Sequence, residues 1–168
     1  MKWINIFTIT IGVFLFCSLG RSQKEYNPWM GKSKLMVGYY HFGSYEKERP
    51  IIGLEQTIEY VIHPKFRTGI GLGVNIYPGK LTFPVFATAK YIQQLKRFGF
   101  YFIQSYGINT GFGDIGFFSH RNYGAFGVNI RLKENLTLDP EIGYLLNWDK
   151  HGPGSLSLTT GLGLYYSL

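Results

Sequence analysis

The chain ends Leu156-Ser157-Leu158-Thr159-Thr160-Gly161-Leu162-Gly163-Leu164-Tyr165-Tyr166-Ser167-Leu168. Divided by parity, Leu156, Leu158, Leu162, Leu164, Tyr166 and Leu168 share one face. Ser157, Thr159, Gly161, Gly163, Tyr165 and Ser167 share the other. A period of two is the pattern of a strand whose two faces meet different surroundings. The pattern recurs upstream. Ile70, Leu72, Val74 and Ile76 oppose Arg67, Gly69, Gly71, Gly73 and Asn75, and Phe126, Val128, Ile130 and Leu132 oppose Ala125, Gly127, Asn129 and Arg131. Leu136, Leu138, Ile142 and Tyr144 oppose Thr137, Asp139, Glu141 and Gly143.

Working outward from these segments, strands are expected at 34–43, 51–62, 66–77, 81–91, 98–108, 122–132, 136–147 and 156–167. In the first, Met36, Tyr40 and Phe42 compete with Leu35, Val37 and Tyr39 for the apolar face. Each segment is about as long as the 9–11 residues a tilted strand needs to cross a bilayer. The links His63-Pro64-Lys65, 92–97 and Lys133-Glu134-Asn135 are short. Those at the opposite end are mostly longer, at 44–50, 109–121 and 148–155, although Pro78-Gly79-Lys80 is short. Short turns at one end and longer loops at the other are the layout of an up-and-down transmembrane barrel.

Composition agrees. The 168 residues make one domain, and 22 Gly, 13 Tyr and 14 Phe disfavour helices and disorder alike. Residues 1–22 carry Lys2, an apolar run from Ile4 to Leu19 and small residues at Ser18, Gly20 and Ser22. They read as a signal peptide cleaved after Ser22 or Gly20. A polar periplasmic lead is expected over 23–33 and the barrel over 34–168. Cleavage would remove Lys2, Arg21 and the single Cys17, leaving 15 bases against 10 acids, a net charge of +5. Export and the lack of a long basic cluster exclude nucleic acid as a partner.

Alternation alone does not say which face is inside. The glycines lie on the polar face, where the narrow interior of an eight-stranded barrel favours small residues. The polar-face charges Glu55, Glu59, Arg67, Lys90, Arg131, Asp139 and Glu141 are of mixed sign and are expected to form an interior network, since buried charges persist only when paired. The apolar-face aromatics Tyr60, Phe66, Tyr91, Phe98 and Tyr166 gather near the short turns, as in an interfacial girdle.

With the signal peptide, eight alternating strands, the 83–91 stretch and the ending Leu162-Gly163-Leu164-Tyr165-Tyr166-Ser167-Leu168, the chain resembles the small OmpA/OmpX-like outer-membrane barrels of Gram-negative bacteria. The resemblance implies outer-membrane lipid as surroundings and the barrel-assembly machinery as a partner during insertion. The expected function is that of a non-enzymatic integral barrel serving envelope structure or surface interaction, with no cofactor, metal or catalytic residue. Two alternatives stand beside it: a lipid A acyl-modifying barrel enzyme and a soluble lipocalin-like binder. The first would draw on Ser119, His120, His151, Asp114 and Asp149. However, the His-x-Ser-Asn pattern of the deacylase family is missing, and adjacent Ser119 and His120 should point opposite ways on a strand. The second lacks the Gly-x-Trp start motif. His41 and His63 lie in the first strand and a short turn. The GxGxxG match at 111–116 has no helix after it to bind a dinucleotide. The bases Lys47, Arg49, Lys80, Arg121 and Lys150 are assigned to the loops among acids. They offer contacts to lipopolysaccharide phosphates, with a solvated mixed surface as the plainer reading.

Overall fold

A computed structural model describes residues 28–42, 50–77, 80–95, 98–112, 117–133, 135–149 and 152–167. They form eight strands: β1 (Trp29–Phe42), β2 (Pro50–His63), β3 (Phe66–Tyr77), β4 (Lys80–Gln94), β5 (Phe98–Phe112), β6 (Phe117–Lys133), β7 (Leu136–Asp149) and β8 (Gly152–Ser167). Neighbours in sequence pair antiparallel, and β1 closes on β8 through a ladder running from Met30↔Ser167 to Phe42↔Leu156. The result is a closed up-and-down barrel without a free sheet edge.

The strands are longer than the apolar alternation suggests. The expected lead over 23–33 is corrected at its C-terminal part, since β1 begins at Trp29. Residues 1–27, and with them the expected signal peptide, lie outside the described residues. Lys32 and Lys34 face inward and are buried, while Ser33 lies on the outer face, where its hydroxyl meets Gln56. A polar run can therefore be strand when the polar side chains point into the barrel. The expected loop at 109–121 is likewise mostly strand. The pairs Asn109↔Ser119, Thr110↔Phe118 and Gly111↔Phe117 continue the β5–β6 ladder. Inside, the Asn109 amide donates to Asn147 Oδ1 at 2.7 Å. Here the inward amides of Asn109 and Asn147 meet, and the backbone pairing runs on above the apolar band. Similarly, β4 runs on to Gln94, β7 reaches Asp149 and β8 begins at Gly152.

The outer face carries Ile52, Leu54 and Ile58 on β2, Ile70 and Leu72 on β3, and Phe126 and Ile142 on β6 and β7, all exposed. The inner face mixes polar groups with an apolar cluster that includes Met36, Ile51, Tyr77, Ile103, Ala125 and Leu145.

Candidate functional site

Inward-facing positions of β1, β2, β4, β6 and β7 bring Lys32, Lys34, Lys90 and Arg121 together with Glu55, Glu59, Asp139 and Glu141. All eight are buried, and their charges balance. Glu141 is the hub. Lys34 Nζ lies 3.1 Å from its Oε1, Lys32 Nζ donates to its Oε2 at 3.2 Å, and the phenols of Tyr123 and Tyr101 donate to it at 2.6 and 2.7 Å. Glu55 sits between Lys34 at 2.8 Å and Arg121 at 2.6 Å. Asp139 pairs with Lys90 and accepts from Asn129 at 2.6 Å. Lys90 also donates to Tyr165 Oη at 3.0 Å, and Tyr165 donates to Glu59 at 2.5 Å.

Aromatic rings line the remaining approaches to the cations. Lys90 Nζ lies 3.7 Å from the Tyr101 centroid, Lys34 Nζ 3.9 Å from that of Tyr123, and the Arg121 guanidinium 4.3 Å from that of Phe86. Such contacts gain strength when the cation is desolvated. The interior glycines make room for these large groups. A Cβ on Gly127 would run into the Tyr101 ring, and one on Gly163 would lie 2.6 Å from Lys32 Cε.

Of the expected interior charges, Glu55, Glu59, Lys90, Asp139 and Glu141 are buried inside. Arg67 is half-buried near the short-turn mouth, its guanidinium 5.6 Å from the Tyr165 centroid. Arg131 is a correction: it is exposed, and no ion pair with Glu141 forms. It has inward parity but lies two residues from the end of β6, beyond the packed interior. Lys32, Lys34 and Arg121 were missed. Lys32 falls in the expected lead, Lys34 opens the expected first strand, and Arg121 falls in the expected loop at 109–121. The available signal was parity, because Arg121, Tyr123 and Ala125 continue the glycine face of β6.

Outside, near the short turns, Trp29 packs edge-on against Tyr60 at 5.0 Å, and Phe66 lies 5.0 Å from Tyr91. Phe98 and Tyr166 are exposed at the same end, where the Tyr166 ring covers Gly31. A second aromatic group, unforeseen from sequence, surrounds His120 at the opposite end. His120 stacks on Trp148 at 5.8 Å and on Tyr106 at 6.2 Å, and Phe118 lies 6.0 Å away. Tyr106 Oη is 3.2 Å from His120 Nδ1.

This places His120 on the outer face, whereas Ser119 is fully buried inside. The outer-face position two residues on is Asn122, whose Oδ1 is engaged by the Gln104 amide. Asp114 and His151 lie outside the described residues, as do the side chains of His41 and Asp149. His63 accepts a hydrogen bond from the Lys65 backbone at 3.2 Å within its turn. Among the described residues no group of three or more His, Cys, Asp or Glu is placed to hold a metal ion.

The barrel superposes on Neisserial surface protein A with a TM-score of 0.71, covering 84% of this chain and 97% of that one at 12% identity. The chain has the fold of the small eight-stranded outer-membrane barrels. The outer membrane enzyme PagL matches this barrel with a TM-score of 0.57 at 10% identity, over 79% of this chain and 97% of its own. The N-terminal β-barrel domain of Pseudomonas aeruginosa OprF matches the barrel with a TM-score of 0.51 at 12% identity, over 82% and 97%. No protein-family model matches the barrel, and no curated protein does so by sequence. At these identities the likeness is one of architecture.

Proposed function

We propose that the chain is a non-enzymatic integral barrel of the outer membrane, sealed by its own interior and presenting its loops outward for envelope structure or surface interaction. One observation carries this reading: the barrel is apolar outside and charged inside. Ile70 is 71% exposed and Phe126 67%, while four basic and four acidic side chains are buried. In water such a band would be a broad aggregation surface. In a bilayer it is the stable arrangement, because a closed sheet satisfies its backbone groups between its own strands. The lipocalin-like alternative requires the opposite orientation of the alternation. Export through residues 1–22, insertion by the assembly machinery and lipopolysaccharide near the loops belong to the same proposal.

The test is migration on gels. The folded barrel in detergent should run differently from the boiled chain, and the protein should partition with membranes after alkaline extraction. A monodisperse chain in detergent-free buffer would overturn the reading.

The enzyme alternative rests on His120, a base at the loop-end rim with Tyr106 beside it. Covalent catalysis needs a nucleophile within hydrogen-bond reach of that base. Ser119 lies on the other side of the sheet wall, and the hydroxyl beside His120 is the Tyr106 phenol at 3.2 Å, not the serine of the deacylase pattern. Lipid A from cells expressing the protein should therefore keep its acyl chains, as read by mass spectrometry. A loss or gain of an acyl chain would favour the enzyme.

A further inference from the structure

The outer face of β5, β6 and β7 changes character in steps from the loop end toward the apolar band. Nearest the loops, rings from all three strands gather around one imidazole. The centroids of His120, Trp148 and Tyr106 form a nearly equilateral triangle with sides of 5.8, 6.2 and 6.0 Å. The Trp148 and Tyr106 planes lie at 27° and 24° to that of His120, and Phe118 meets the imidazole edge-on. Tyr106 and Phe118 are exposed, so the rings make an accessible platform. The Tyr106 hydroxyl and the His120 ring nitrogens give it hydrogen-bonding edges.

The next outward residues toward the short turns are Gln104 on β5 and Asn122 on β6. Two residues cover about 7 Å along a strand, or about 5 Å of depth at the tilt of a membrane barrel. The Gln104 amide donates to Asn122 Oδ1. Its carbonyl and the Asn122 amino group can serve a second partner, because each amide has two donors and two lone pairs. Two residues further on the wall is apolar: Phe102 and Phe126 stand 5.0 Å apart, both exposed. Rings, amides and hydrocarbon thus follow one another in the order of the head, linkage and chains of one lipid molecule.

Charge narrows the choice of lipid. Among the described residues, the outward positions of 102–110, 118–126 and 142–148 include no Lys, Arg, Asp or Glu. A phosphate headgroup would find no counter-charge on this wall. An ammonium headgroup would gain from the rings but would bring its phosphate with it. A sugar is neutral. Its C–H face stacks on an aromatic platform, and its hydroxyls match edges that donate and accept without charge.

We propose that the β5–β7 wall binds a saccharide-headed lipid of the leaflet on the loop side. The sugar lies on the His120 platform, the acyl linkages meet Gln104 and Asn122, and the chains run along Phe102 and Phe126. This site rests on the membrane reading above.

Trp148 is a built-in reporter. The full chain is prepared with Trp3→Phe and Trp29→Phe, and a second form with Trp3→Phe and Trp148→Phe keeps Trp29 instead. Both are refolded into phosphatidylcholine vesicles. Monoglucosyl diacylglycerol is then added, with diacylglycerol and phosphatidylglycerol of the same chains as comparators. The glycolipid should change Trp148 emission saturably and several-fold more than either comparator, while Trp29 shows no such preference. Phe118→Ala, or Gln104→Leu joined with Asn122→Leu, should move the midpoint several-fold higher in glycolipid, with folding checked by gel migration.

Equal responses of Trp148 to all three lipids would overturn the site and leave the membrane reading standing. A response reproduced by a soluble oligosaccharide would overturn the lipid as occupant in favour of free sugar. A Trp148 signal that follows the protein-to-lipid ratio, with no effect of glycolipid, would give the wall to a second copy of the chain. If brominated phosphatidylcholine quenches neither tryptophan, the membrane reading itself fails.

Discussion

Glu141 collects two ammonium groups and two phenols, and each of the four donors comes from a strand other than its own. Taking away one member of such a group leaves buried charges without compensation, the costly direction for an ion network. Glu141→Gln should therefore lower stability by about 3 kcal/mol in urea titrations of the folded barrel. Lys34 shares its charge between Glu141 and Glu55, so Lys34→Met combined with Glu141→Gln should lose at least about 1 kcal/mol less than the two singles together. Arg131 provides the control. Exposed at the end of β6, it should combine with Glu141 additively, within about 0.5 kcal/mol. A large coupling between Arg131→Ala and Glu141→Ala would mean that its guanidinium reaches the network after all.

At the level of the strand, legibility depended on contrast between faces. In β3 and β8 glycines alternate with aliphatic residues, and period two alone placed both strands. In β1 the inward set is Lys32, Lys34 and Met36 and the outward set begins with Gly31 and Ser33, so hydropathy gave no clean alternation and the start was set too late. Near the loop ends of β5 and β6, inward Asn109 and Ser119 resemble loop residues until the facing strands are known. Partner identity is a tertiary property. Parity could place Glu141 inside, but only closure of the sheet brings it to Lys32, which lies 109 residues away.

The outer face has a polar exception of its own. The Gln104 amide donates to Asn122 on the neighbouring strand, and Ser33 likewise pairs with Gln56 across β1 and β2 at 2.8 and 3.0 Å. A lone amide facing hydrocarbon would lose its partners altogether. Gln104→Leu should accordingly destabilise the barrel by about 1–3 kcal/mol, because it orphans Asn122. Adding Asn122→Leu should restore most of that loss. If the double variant is no better than the single, the pair contributes something other than mutual hydrogen bonding.

For the molecule as a whole, the question is whether the interior is a channel or a core. An eight-stranded barrel has room for little more than its own side chains. Here that room is taken by Tyr101, Tyr123 and Tyr165, by Phe86, and by Lys90 and Arg121, every one of them buried. Two kinds of barrier are therefore superposed. The matched charges would resist an ion of either sign, while the rings and aliphatic groups fill the cross-section regardless of charge. Neutralising substitutions separate the two. The unaltered chain in planar bilayers should give no stepwise current. Lys32→Met with Glu141→Gln should weaken the barrel yet still give none, because Tyr101, Tyr123 and Met36 remain in place. Steady unit conductance from the unaltered chain would contradict a packed interior. Conductance appearing only in the neutralised variant would assign the seal to the ion network rather than to the aromatic packing around it.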